Sequence, residues 1–123
     1  MFAKFLWSPQ EGTTALMQCI IDELPVAFLS ELLRHNASVH LQNHKGYTAL
    51  HMAVRDGSGE FVSALLAHGG DSARLAYEAL DAEFGWTPLM HAAAKGMKDI
   101  VRLMGEAGVD VNVQDKVSHA KAP

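Results

Sequence analysis

The chain lacks most of what marks a secreted domain, a membrane protein or an enzyme. Cys19 is the only cysteine in 123 residues. No internal disulfide can form, which points to a reducing, intracellular setting: cytoplasmic, with the nucleus left open. No run of 18 apolar residues occurs, so no membrane span is expected. Met1–Trp7 is apolar, but it is too short for a secretory signal and has no small-residue cleavage site. Charge is evenly spread: four cations and six anions in 1–61, six and eight in 62–123, net −4. Without a basic block, nucleic acid is not the expected partner. The seven histidines fall in no Cys-x-x-Cys or His-Glu-x-x-His pattern, and no metal is expected. Gly-x-Ser-x-Gly and phosphate-cradling glycine loops are also missing. No catalytic residue, cofactor or enzymatic activity is therefore expected.

What is present is repetition. Residues 84–108 read as helix, turn, helix. Thr87 is an N-cap type and Pro88 follows at the first helical position, where its missing N–H costs nothing. Gly96 and Gly108 end the two helices. Subtracting 39 from Gly85, Thr87, Leu89, Ala92, Gly96, Val101 and Gly108 gives Gly46, Thr48, Leu50, Ala53, Gly57, Val62 and Gly69. A third copy lies 34 residues before the second, at Gly12, Thr14, Leu16 and Cys19, with Asn36 in the helix-ending place. Helices are expected near 13–22, 26–35, 49–56, 59–68, 88–95 and 98–107. None is long enough to stand alone in water, so each pair must bury its apolar face on a neighbour. Apolar residues make up 49% of the chain, enough for one core shared along such a stack. A repeating unit of this length is the sign of a solenoid.

Thr87-Pro88-Leu89-Met90-His91-Ala92 and Thr48-Ala49-Leu50-His51-Met52-Ala53 resemble the Thr-Pro-Leu-His-x-Ala signature of ankyrin repeats. Gly108-Val109-Asp110-Val111-Asn112 is similar to the end of such a repeat. The resemblance implies an all-α solenoid of three ankyrin repeats, helix-turn-helix units joined by short β-hairpin loops. It divides the chain into a capping segment 1–8, a repeat domain 9–115 (9–42, 43–81 and 82–115) and a tail 116–123. In the first hairpin, Val39 and Leu41 alternate with polar residues as short strands would. The step from Gly69 to Gly85 is 16 residues against 10 from Asn36 to Gly46, so an extended linker over 70–84 is expected. Its middle favours helix by composition. The first repeat lacks a mid-repeat glycine and places Glu23-Leu24-Pro25 in its turn.

The resemblance implies a protein–protein interaction module, a scaffold or adaptor that binds another protein through hairpin tips and the concave face of the inner helices. Carried over position by position, the candidate protein-binding residues are His44, Lys45, Tyr47, Arg55, Asp56, Glu83, Phe84, Trp86 and Lys95. Gln10, Glu11, Thr13, Asn43 and Ala94 lie on the same face, and Leu75, Tyr77 and Leu80 join if the linker takes part. Aromatic and arginine side chains are over-represented at binding hot spots, which singles out Tyr47, Phe84 and Trp86. The family's histidine ties hairpin to helix, a structural role for His51. A monomer is expected. Two alternatives stay open: a regulatory or targeting segment of a larger protein, enzyme or effector, and an array that self-associates through its ends.

Overall fold

Three threonines set the frame. Thr14, Thr48 and Thr87 are in extended backbone, and each hydroxyl accepts the N–H three residues on, from Met17, His51 and Met90, at 3.2, 3.2 and 3.3 Å. Such a cap satisfies a donor that a helix start leaves open and contributes about 1 kcal/mol. The computed structural model describes residues 12–68 and 70–112. The capping segment 1–8, Gln10, Glu11 and the tail 116–123 lie outside the described residues. Within them run α1 (Ala15–Ile21), α2 (Val26–Arg34), α3 (Ala49–Asp56), α4 (Gly59–His68), α5 (Gly70–Glu78), α6 (Pro88–Ala94) and α7 (Lys98–Glu106).

Inner helices α1, α3 and α6 pack side by side, and outer helices α2, α4 and α7 form a second layer behind them. Each outer helix also packs on the inner helix of its own repeat. The result is an all-α solenoid of three helical pairs. Leu16, Leu29, Leu50, Val62, Leu65 and Met104 are fully buried and form one continuous cluster along the stack. Each such side chain contributes about 1.5–3 kcal/mol on burial. Cys19, Ala53 and Ala92 are the equivalent small buried residues of the inner helices. Burial, and then the nearby Asp22, push the Cys19 thiol up, which keeps it protonated and unreactive.

The fingers differ from the expected hairpins. Among the described residues there is no strand, at Val39 and Leu41 or elsewhere. Each finger closes instead on a tight turn. In the first, Asn43 N–H donates to Tyr47 O and Gly46 N–H to Asn43 O, both at 2.9 Å. In the second, Asp81 N–H donates to Trp86 O and Gly85 N–H to Asp81 O, both at 3.0 Å. The fingers meet where Ala82 N–H donates to Lys45 O at 2.8 Å. The Gln42 amide completes the contact, donating to Gly46 O at 2.7 Å and Leu80 O at 3.0 Å. Turns and a side chain thus replace a continuing ladder. Gly46 is required here: its φ is +82°, and a Cβ would lie 2.6 Å from Ala82 N.

The long connection is helix α5 over its first part, packed on α4, α3 and α6. Ala73 and Ala76 face inward, Leu75 is exposed, and Tyr77 and Leu80 are half-buried. The first repeat compensates for its missing glycine without help from Pro25. Glu23 itself adopts φ +54°, the place held by Gly57 and Gly96 in the later repeats, and Asn36 takes φ +67° at the end of α2.

Candidate functional site

The inner helices and the fingers they carry enclose a cleft of about 470 Å³ on the concave face. Its apolar lining is Ile20, Ile21 and Met52, from the first two inner helices. Its polar lining includes Lys45, Arg55, Asp56, Glu83 and Lys95, all exposed. Six of the nine candidate residues line this one cleft: Lys45, Tyr47, Arg55, Asp56, Glu83 and Lys95. Lys45, Arg55 and Lys95 are in no ion pair among the described residues. Lys95 donates instead to Arg55 O at 3.3 Å, near the carbonyl end of α3, where a cation is favoured.

Tyr47 lies within the cleft wall rather than on the open surface. It is only 2% exposed. Its ring is covered by the Arg55 guanidinium, with Cζ 4.7 Å from the ring centre, and its hydroxyl donates to Glu83 Oε1. Burial first, and then the bond to Glu83, raise the phenol above its ordinary range. Tyr47 therefore serves the cleft by holding Arg55 and Glu83 in place. His44 is exposed, with its ring against Gly12 of the first loop. His40 and His44 are four apart, a spacing that aligns ligands on a helix, but both lie in the loop before α3.

Phe84 and Trp86 make a second feature, at the tip of the finger before α6. Their rings stack with centroids 4.9 Å apart and planes at 27°. Phe84 is 48% exposed and Trp86 half-buried. Under them sits a buried acid–base pair that the sequence did not single out. Asp81 Oδ2 lies 2.5 Å from His91 Nε2, and Asp81 Oδ1 accepts the Phe84 N–H at 2.6 Å. Burial alone would raise the Asp81 carboxyl; the Phe84 N–H, and then His91, outweigh it and hold the carboxyl below its usual range. The His91 ring meets Trp86 edge-on at 5.1 Å, Phe84 at 5.8 Å and His51 at 5.6 Å.

His51 performs the other junction. Its Nδ1 accepts the Thr48 N–H at 3.2 Å, with the Thr48 hydroxyl at 3.0 Å. That acceptor role places the ring proton on Nε2, which donates to Trp86 O of the next finger at 2.9 Å. Burial pushes His51 down to about 4, only partly offset by the Trp86 carbonyl. His51, Asp81 and His91 bring their ligand atoms within 4.8 Å of one another and are the described residues that could hold a metal ion. Both His51 nitrogens and both Asp81 oxygens are already engaged. A metal would have to displace these bonds, so the set as it stands is a hydrogen-bonded lock. One signal in the sequence could have revealed it. Asp81 comes one residue before the place of Asn43 in the 39-residue register, in a turn one residue longer, and the histidine has moved one position, from Leu50-His51-Met52 to Leu89-Met90-His91.

A family model described as ankyrin repeats (3 copies) matches residues 16–115. The chain is 34% identical over 88 residues to a B-cell lymphoma 3 protein homolog of Mus musculus, covering 72% of this chain and 18% of that protein. It is 34% identical over 90 residues to the potassium channel AKT1 of Oryza sativa subsp. indica, covering 72% of this chain and 9% of that one. Among solved structures, the crystal structure of the ankyrin repeat domain of Bcl-3, described as a unique member of the IkappaB protein family, matches with a TM-score of 0.73 and 28% identity. That match covers 94% of this chain and 53% of that one. The chain spans less than a fifth of the length of these two relatives.

Proposed function

Because the chain belongs to the ankyrin-repeat family, we propose that it is a protein–protein recognition module, a scaffold or adaptor that docks one protein partner on its concave face. The family's fold is typically a non-catalytic interaction module. The observation that carries the reading is the cleft. It has an apolar floor, exposed charges of both signs on its walls and three cations without a carboxylate partner among the described residues. Such surfaces orient a partner through their charges and gain affinity from a few buried anchors. Phe84 and Trp86 are the anchor on this reading, and Lys45, Arg55, Asp56, Glu83 and Lys95 set orientation. His44 joins at the neighbouring finger tip. The free thiol of Cys19 in the core fits a reducing, intracellular location, in cytoplasm or nucleus, and the module acts as a monomer with a protein rather than nucleic acid or membrane.

A second reading has its own support. The relatives are five or more times longer than the matched segment. A short array of this kind then serves as the targeting or regulatory segment of a larger protein.

The test is affinity capture from lysate of the source organism, followed by binding measurements with purified components. Parent chain is compared with Phe84→Ala/Trp86→Ala and with Arg55→Glu/Lys95→Glu, each checked for folding by circular dichroism. The expected result is a partner whose affinity falls about tenfold or more in both variants. A partner that binds both variants as tightly as the parent contradicts the site.

A further inference from the structure

We propose that Asp81 and His91 are a positioning pair that holds the Phe84–Trp86 anchor in its docking conformation before any partner arrives. The inference rests on the recognition reading above and says how that site is made ready.

The finger tip has every reason to move. Its outermost residues, Ala82, Glu83 and Phe84, are exposed, and exposed aromatic side chains ordinarily sample several rotamers. Ala82 N–H and the Glu83 carboxylate are tied to the first finger, and four further bonds converge on the tip. Asp81 N–H donates to Trp86 O, and Gly85 N–H donates to Asp81 O. Asp81 Oδ1 accepts from Phe84 N–H, and His51 Nε2 donates to Trp86 O. Asp81 takes part in three of these four, two through its backbone and one through its carboxylate, which holds the Phe84 amide. The carboxylate cannot turn, because His91 Nε2 holds the other oxygen at 2.5 Å. Both side chains are shut away from water, 0% and 4% exposed, which strengthens the contact.

His91 acts a second time through its ring. It stands edge-on to both Phe84 and Trp86 and fills the space beneath the stacked pair. An edge-to-face contact of this kind favours one orientation of the rings it supports. Tyr47 and His51 close the far sides of the His91 ring at 6.0 and 5.6 Å. Tyr47 in turn carries Glu83 on its hydroxyl and Arg55 over its ring.

The neighbouring finger supplies the control. Asn43 does the same work on the backbone, accepting from Lys45 and Tyr47 N–H at 2.9 and 3.0 Å. Met52 stands where His91 stands, and no aromatic pair is carried on that tip. That turn, one residue shorter than the second, needs only the side-chain oxygen. The acid–base pair appears where there is an aromatic anchor to orient. Preorganisation of this sort spares a binding site the ordering of its own side chains when the partner docks.

The test needs no partner. Trp7→Phe leaves Trp86 as the single tryptophan. In that background, acrylamide quenching and time-resolved anisotropy of Trp86 report its motion, and NMR hydrogen exchange reports the Phe84 amide. In His91→Ala the Phe84 amide should exchange about tenfold faster or more beyond any acceleration shared with the α1 and α2 amides, with Trp86 more mobile. His91→Gln, which keeps a donor toward Asp81, should recover most of the amide protection. If His91→Ala does not fold, Asp81→Asn serves. It retains an oxygen for Phe84 N–H, so that amide stays protected while Trp86 gains mobility. Trp86 motion equal to the parent in the folded variant overturns the inference. So does a uniform acceleration of all amides, which reports lost global stability instead. A failed partner search leaves this result standing, and a negative result here leaves recognition intact with an anchor that Asp81 and His91 do not position.

Discussion

The two fingers of this protein close on related turns, the second one residue longer, and have different locks. In the first, a neutral Asn43 ties down its own backbone, and Met52 follows on the inner helix. In the second, a charged Asp81 does the tying, and His91 occupies the position of Met52. The histidines follow the same shift. His51, at the third position of its helix, reaches forward to the next finger, while His91, one position later, reaches back to its own. One step along a helix is about 100° of rotation, enough to turn a side chain from the following repeat to the preceding loop. A neutral lock is cheap to bury. A charged one is costly unless both partners are present, and it gives a stiffer and more conditional structure.

The largest expected effect breaks the charged lock alone. His91→Ala leaves Asp81 buried and unpaired and should cost about 3–5 kcal/mol in a urea titration. Met52→Ala, the same change at the neutral finger, removes a half-buried apolar side chain and should cost about 1–2 kcal/mol.

Acid should divide the two histidine roles next. The folded state holds His51 near 4, below its unfolded value of 6.5, so the unfolded chain binds the proton first as pH falls. Stability from His51 is complete above about pH 6.5 and is lost toward about pH 4, a change of about 3 kcal/mol. Asp81, also held low, adds loss of the same sign at more acid pH, as its folded carboxyl protonates. Thermal melts across pH 4–7 measure this. His51→Met, which copies the third repeat, should flatten the slope above pH 4.

The contact between the fingers is tested at Gly46. Gly46→Ala meets backbone at 2.6 Å and should cost about 2–3 kcal/mol. Gly96→Ala has a similar φ of +70° but no described atom within 4 Å, so only the backbone strain of about 1 kcal/mol remains. The smallest effect has the opposite sign. Glu23→Gly relieves a left-handed glutamate and should stabilise the chain by about 0.5–1 kcal/mol, seen as a higher melting temperature.

The repeat frame was legible because it is written in local chemistry. Threonine caps, helix-ending glycines and small residues at fixed offsets each act within a turn or two of chain. The seven helices among the described residues match the expected ranges or, in the insertion, follow its composition. The strands did not appear because the fingers close through turns and the Gln42 amide, which alternation at Val39 and Leu41 cannot reveal. The charged side chains of the candidate site were read from position alone, and the structure gathers Lys45, Arg55, Asp56, Glu83 and Lys95 around one cleft. Position on a finger does not tell which face of the Tyr47 ring is covered; Arg55 and Glu83 cover it. Asp81 and His91 were missed because ten residues and a turn separate them, and only the packed fold brings 2.5 Å between their atoms.

The most direct test of the difference between the fingers is a double-mutant cycle on the second one, Asp81→Asn, His91→Met and both together, by equilibrium urea unfolding. The double variant installs the chemistry of the first finger in the second. If the lock is a coupled acid–base pair, each single change destabilises, and the double variant returns to within about 1 kcal/mol of the parent, with a coupling of about 3 kcal/mol or more. Losses that simply add would contradict it, and would mean that the two side chains support the finger independently.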